Sequence, residues 1–426
     1  MGHDDVPATP RAGWPYRRGE VRVKADQARD RGSLRRTNLG SVLRLLRGGP
    51  RSRAQIATET GLPKPTVTSL VGELVGLGLL REGPAQREGA VGRPGTLVQL
   101  DGRDICGIGV EISTSYVHVL ALNLGGEPVF EHRTEVAVAD QDAEDALDLT
   151  ARAIRACGAA LERDGVRPVG ITLAVPGVIE APAGVVDYAP GIGWRDVAVV
   201  EGLRSRLGPD TPPIAVENDA KLCALTEYLL VEDPDVHDMV CLTGERGIAA
   251  GIISAGRLLR GATNFAGEVG HMPLDPERRP CVCGRAGCWE AMVGLDAIME
   301  LAADPDDEVR DQKRPLEDRF RTLHLRAERG DERTSRALAR VADDLGLGIA
   351  LLTDVLNPRV VVLGGYFTHI GDLMLERVRE VVRGRVIAPD AGGCQVVLST
   401  LGFTAAARGG AFLALDSVYE DPADVA

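Results

Sequence analysis

The chain has 426 residues, 44% of them apolar and 26% charged, a composition ordinary for a globular protein that excludes disorder along the whole length. No run of about 18 uncharged apolar residues occurs, and the first residues lack the apolar stretch of a signal peptide, so the expectation is a cytoplasmic protein with no membrane partner. The net charge of −13 is uneven: residues 1–100 carry 17 Lys and Arg against 9 Asp and Glu, a net of +8, and the other 326 carry 32 against 53, a net of −21. The acidic body excludes a general nucleic-acid binder, and the basic first hundred residues suit either a DNA-binding module or a solvated basic tail.

In chain order, residues 1–32 are rich in Arg, Asp, Gly and Pro without an apolar period and read as a disordered basic arm. Residues 33–101 form a compact unit. Leu39, Val42, Leu43, Leu45 and Leu46 keep helical spacing between Leu34 and Arg47, and Gly48, Gly49 and Pro50 stop that helix. Ser52 with Gln55 is a capping-box pattern opening a second helix that Gly61 closes. A third helix, about Pro63 to Leu77, repeats Val67, Leu70, Val71 and Leu74 on one face and carries Lys64, Thr66 and Ser69 on the other. Two extended runs, Leu79–Glu82 and Thr96–Leu100, flank a loop with Gly92, Arg93 and Pro94. Three helices and a terminal hairpin describe a winged helix-turn-helix, with a generic three-helix bundle as the alternative. As a DNA reader it would use Lys64, Thr66 and Ser69 against phosphates and base edges, and Arg93 from the wing in a minor groove.

From residue 104 to about 420 the pattern is α/β, with strands at Ile105–Val110, Tyr116–Asn123, Gly170–Val175, Ile214–Val216, Met239–Leu242, Ile248–Ser254 and Arg359–Leu363. Helices fall at Glu144–Leu161 and Arg333–Leu356, and a last helix over 403–418 is placed back against the first lobe. Two lobes, about 104–220 and 221–400, with a cleft between them are implied.

The eight Cys make no disulfide scaffold, but three cluster as Cys281-Val282-Cys283 and Cys288 after His271. Three thiolates and an imidazole are a complete tetrahedral set for a structural zinc ion, which would supply folding energy to a short Pro-rich loop. Glu217-Asn218-Asp219 ends a strand, where open α/β sheets place ligands. Glu268 and Glu290 bracket the metal loop, so a metal that fixes the loop fixes both. Converging acceptors suit a polyhydroxylated ligand; solvated surface acids are the alternative.

The run Gly261-Ala-Thr-Asn-Phe-Ala-Gly-Glu-Val-Gly-His271, followed by Cys-x-Cys-Gly-x-x-Gly-Cys-x-Glu, resembles the signature of the ROK family of sugar kinases and sugar-responsive repressors. Pro176-Gly177, Ala189-Pro190 with Gly193-Trp194, Glu217-Asn-Asp-Ala220 and Gly364-Gly365 match that family in the same order, over about residues 34–415. The resemblance implies an actin-like, hexokinase-type fold whose cleft holds sugar through Asn218, Asp219, Glu268, His271 and Glu290, with Asp219 as general base in a kinase. The nucleotide side departs from the family. Glu111-Ile-Ser-Thr-Ser-Tyr116 stands where kinases have Asp-x-Gly-Gly-Thr-Lys, and Glu245-Arg-Gly-Ile-Ala-Ala-Gly251 where they have Gly-Thr-Gly-x-Gly-x-Gly. Side chains at Ser113 and Thr114 obstruct phosphate, and Glu245 repels it.

The expectation is therefore a non-enzymatic, sugar-responsive repressor: a homodimer or homotetramer on operator double-stranded DNA, nucleoid-associated when bound, with structural zinc and no ATP-Mg. The alternative is an ATP-dependent hexose kinase. Arg246 either receives the phosphate of a sugar-phosphate effector or pairs with Glu245 or another acid at the cleft edge.

Overall fold

A computed structural model describes residues 31–86, 95–388 and 394–423. In its N-terminal part α1 (Arg31–Leu46), β1 (Arg51–Ser52), α2 (Arg53–Thr60), α3 (Lys64–Gly76), β2 (Leu80–Gln86) and β3 (Gly95–Leu100) follow in order. Ser52 caps α2 through the Gln55 amide while the Gln55 side chain returns to the Ser52 amide, and Gly61 ends the helix at φ 69°, a conformation that costs glycine little. Val67, Leu70, Val71 and Leu74 are buried on one stripe of α3, and β1, β3 and β2 form a small antiparallel sheet. Arg93 lies outside the described residues.

Two five-stranded sheets build the body, and they repeat one plan. The first lobe contains β4 (Ile105–Ile112), β5 (Tyr116–Asn123), β6 (Pro128–Glu135), α4 (Ala143–Arg163), β7 (Arg167–Val175), β8 (Val178–Glu180), β9 (Val185–Ala189), β10 (Trp194–Val197), α5 (Val199–Leu207) and β11 (Ile214–Asn218), followed by α6 (Asp219–Leu230). The second contains β12 (Met239–Gly244), β13 (Ile248–Ser254), β14 (Arg257–Leu258), α7 (Glu290–Val293), α8 (Leu295–Ala302), α9 (Leu316–Glu328), α10 (Glu332–Leu356), β15 (Val360–Gly365), α11 (Phe367–Ile370), α12 (Leu375–Arg385) and β16 (Gln395–Leu398). The sheet orders are β11-β7-β4-β5-β6 and β14-β13-β12-β15-β16. In each, an antiparallel three-strand meander is extended from its first strand by two parallel strands. Strands covered on both faces read as near-continuous apolar runs, and β4 and β15 are buried at every position, with Glu111 the charged exception in β4.

The last segment is not one helix but two, α13 (Ala405–Ala414) and α14 (Asp416–Glu420). Small residues explain the seat of α13: a Cβ on Gly109 of β4 would stand 1.8 Å from the Ala407 carbonyl oxygen, so helix and sheet meet backbone to backbone. The chain then breaks so that Leu415, Val418 and Tyr419 join the core of the N-terminal domain with Val42, Leu43, Val67, Leu70 and Leu80. Docking onto the N-terminal domain is thus as much the task of this segment as covering the first lobe.

Candidate functional site

The cleft between the lobes is a cavity of about 1170 Å³. Strand β11 runs parallel to β7, so Asn218 and Asp219 emerge at the carboxyl end of the sheet. Asn218 caps α6 with its side-chain oxygen on the Lys221 amide and donates its Nδ2 to the Gly177 carbonyl at 3.0 Å, which ties β11 to the Pro176-Gly177 turn. Asp219 accepts the Ala220 amide at 2.8 Å. Burial, reinforced by the charge of Glu245, pushes its carboxyl up to about 7.

Behind these two lies a polar knot that sequence reasoning named only in part. Glu217, with its side chain 3% exposed, accepts from Arg260 at 3.0 Å, from Asn264 Nδ2 at 3.2 Å and from the Asn218 amide at 3.0 Å. Asn264 in turn donates to the Ile179 carbonyl and takes the Lys221 ammonium on its side-chain oxygen at 2.8 Å. The segment 260–268 of the second lobe is thereby sewn to β8, β11 and α6. A left-handed Asn264, at φ 62°, gives the turn its shape. A buried acid next to a catalytic-looking Asn-Asp pair was the available signal for Glu217; nothing in the sequence marked Arg260 or Lys221.

His271, Cys281, Cys283 and Cys288 come together with ligand atoms all within 4.8 Å of one another. His271 Nδ1 faces Cys281 Sγ at 3.8 Å, Cys283 and Cys288 are 3.7 Å apart, and His271 Nε2 faces Glu268 at 4.0 Å. One soft, closed donor set of three sulfurs and a nitrogen fits a tetrahedral ion. Its loop has a single isolated bridge, Pro280 to Ala286, and a bidentate Asp275–Arg279 pair. Trp289, fully buried, anchors the loop's end by donating to the Asp344 carbonyl at 2.9 Å and filling the space over Gly348.

That anchor sets Glu290, whose Oε2 accepts the Ile248 amide at 3.2 Å at the start of β13. Burial raises the Glu268 carboxyl against the pull of His271 and Lys221. Asn218, Asp219, Glu268, His271 and Glu290 all line the same cavity. Lys64 and Ser69 are exposed on α3 and Thr66 half-buried, and none of the three lines the cavity.

The two turns expected from the sequence to match phosphate loops are in contact with each other. Glu245, in the turn between β12 and β13, takes the Ser113 hydroxyl, the Thr114 amide at 3.2 Å and the Thr114 hydroxyl at 2.9 Å on one oxygen. It does not pair with Arg246, whose guanidinium lines the cavity and makes no hydrogen bond or ion pair among the described residues. Glu111, buried behind this contact, receives the Tyr116 hydroxyl at 2.9 Å, and burial with Glu245 nearby pushes its carboxyl well above the ordinary range.

The pattern of the ROK family matches residues 107–417, and that of the IclR helix-turn-helix domain residues 37–84. The chain is 30% identical to a xylose repressor of Caldicellulosiruptor bescii over 78% of this chain and 84% of the relative. It is 27% identical to the transcriptional dual regulator NagC of Escherichia coli over 86% and 90%. A solved ROK family transcriptional regulator, a homologue of the E. coli MLC protein, shares the fold at a TM-score of 0.73 with 24% identity, covering 91% of this chain and 97% of that one. A ROK glucokinase from Streptomyces griseus, solved with glucose and AMPPNP, reaches 0.61 at 25% identity over 73% and 99%. No helix among the described residues is long and apolar enough to cross a membrane. With family domain and helix-turn-helix both matched along its length, the chain belongs to the ROK family, in the form that carries an N-terminal DNA-binding domain.

Proposed function

We propose that this protein is a sugar-responsive transcriptional repressor that binds operator DNA through α3 and a sugar, or its phosphate, in the cleft. The observation that carries the reading is the asymmetry of that cleft. Acceptors converge at Asn218, Asp219, Glu268 and Glu290, as a ligand rich in hydroxyl donors requires, while both phosphate-loop positions are filled by side chains of the chain itself. Lys64, Thr66 and Ser69 would meet the major groove and Arg93 the minor groove, and a homodimer or homotetramer would match a two-fold operator.

A zinc ion would be held by His271, Cys281, Cys283 and Cys288, and its chemistry here is to order the loop. With Nδ1 facing Cys281 and so placed to be the metal ligand, His271 would leave Nε2, 4.0 Å from Glu268, to face the sugar side. Asp219, buried and held near neutrality, also has the properties of a general base, which favours a hexose kinase as the second reading.

Calorimetric titration of the zinc-loaded protein with hexoses, xylose, N-acetylhexosamines, their phosphates and, separately, ATP-Mg decides between them. Sugar binding without ATP binding, followed by a change in operator affinity with the best sugar, is the expected result. Sugar-dependent ADP release that Asp219→Asn abolishes would replace the repressor reading with the kinase.

A further inference from the structure

We propose that Glu245 is an internal occupant of the former phosphate site, a latch that ties the two lobes together in place of a nucleotide and keeps the sugar half of the cleft assembled. The proposal rests on the sensor reading above for its effect on sugar, but not for the latch itself.

Glu245 belongs to the second lobe, in the β12–β13 turn, and its three donors belong to the first, in the β4–β5 turn. A backbone amide and two hydroxyls converging on one anionic oxygen are the donor set that phosphate oxygens take from an anion-binding loop. Ser113 and Thr114, the residues that crowd a phosphate out, are the ones that hold the carboxylate. Ser113 is itself held, with its amide on the Tyr116 carbonyl at 2.9 Å, and Glu245 has its own amide on the Gly247 carbonyl at 3.1 Å, so both sides of the latch are rigid.

A second bridge lies on the same side. Arg133 of β6 stacks over the Tyr116 ring with its guanidinium carbon 3.8 Å from the centroid and reaches Glu317 of α9 at 2.7 Å, and Tyr116 carries the contact on to Glu111. The lobes are thus joined beside the nucleotide position as well as at the sugar-side knot of Glu217, Lys221 and Asn264. A ligand seated between two loops contributes to lobe closure only when bound. A tethered carboxylate is present at every moment, so sugar does not bear the ordering cost of bringing the lobes together. A nucleotide would have to displace Glu245 and bring its own charge against Glu111 and Asp219.

Hydrogen exchange of the full-length, zinc-loaded protein tests the latch without any ligand, and titration with xylose and N-acetylglucosamine tests its consequence. Glu245→Gly should raise exchange at the amides of residues 113–116 at least tenfold, and Glu245→Gln, which keeps the acceptor oxygen, should leave it within threefold. Ser113→Ala with Thr114→Val, made on the opposite lobe, should reproduce Glu245→Gly and guards against a fault confined to one turn. Whichever probe sugar binds the wild type should bind Glu245→Gly at least fivefold more weakly and Glu245→Gln within twofold. Unchanged exchange in Glu245→Gly, or protection of residues 113–116 by ATP-Mg in the wild type, would overturn the proposal. Raised exchange with neither sugar bound by any form would uphold the latch and count against the choice of sugar or the sensor reading instead.

Discussion

Asp219 sits between two demands. Burial and Glu245 hold its carboxyl up at about 7, so below that pH the free protein keeps it protonated. In the proposed sugar site, hydroxyls would donate to the ionised form and stabilise it, so binding would release a proton below pH 7. Affinity is expected to rise by up to about tenfold per pH unit from 5.5 to 7 and to level off above, as calorimetry across that range would read; an affinity that falls with rising pH would remove Asp219 from the sugar contacts. The same shift has the opposite sign for stability. A carboxyl whose folded value lies above the unfolded 3.8 costs stability increasingly between those values, so Asp219→Asn should stabilise the free protein by about 1–2 kcal/mol at pH 8 while weakening sugar binding. Denaturant titration at pH 5 and 8 checks it: the gain should be small at pH 5 and full at pH 8. Glu217 belongs to the same scale. It was legible only as an acid ending a strand, because its value lies in holding Arg260 and Asn264, which are 43 and 47 residues away, and sequence spacing carries no information about such a partner.

At the scale of elements, what was legible and what was not divide by period and locality. The α3 stripe and the Ser52 capping box are local patterns and stand in the structure where the sequence put them. Strand β6 was invisible because its burial does not alternate and every position is exposed or half-buried, and the break between α13 and α14 was invisible because its cause is a distant domain. The Cys and His cluster was legible since thiolate spacing is itself a signal of chemistry. Removing zinc by chelation, or Cys288→Ser, should lower the melting temperature and weaken sugar binding about 10- to 100-fold through Glu290 and His271. Operator binding in the absence of sugar should survive, because the core of α1–α3 shares no residue with that cluster; a metal analysis showing no zinc bound would sink both statements. On α3, Lys64→Ala should cut the slope of log affinity against log salt by about 0.9 if that lysine neutralises one phosphate, whereas Thr66→Ala should relax base discrimination with the slope kept.

At the scale of the molecule, the question is how a cleft speaks to a DNA-binding domain, and one continuous path is built from packed contacts. Phe403 and Ala406 contribute to the cleft wall at the start of α13. The helix crosses under β4, and α14 then packs on α1, where the Arg47 guanidinium carbon lies 5.1 Å from the Phe412 centroid and 4.8 Å from that of Tyr419. The contact between α1 and α14 is a backbone approach: a Cβ on Gly40 would stand 2.1 Å from the Tyr419 carbonyl oxygen. Gly40→Ala must therefore push α1 away from α14, although within an isolated helix the same change favours α1 by about 1 kcal/mol. Because Leu415, Val418 and Tyr419 belong to the core of the N-terminal domain, operator affinity in the absence of sugar is measured beside the sugar response, which separates a weakened domain from a lost signal. Sugar affinity should stay within about twofold of wild type, because α1 contributes no residue to the cleft lining. The sugar-induced change in operator affinity, for which couplings of about 5- to 150-fold are usual, should shrink towards unity. Arg47→Ala removes the stacking without the clash and should reduce the coupling part-way. If Gly40→Ala keeps the full response in operator-binding titrations with and without sugar, α13 and α14 only hold the domains together, and the signal takes another route.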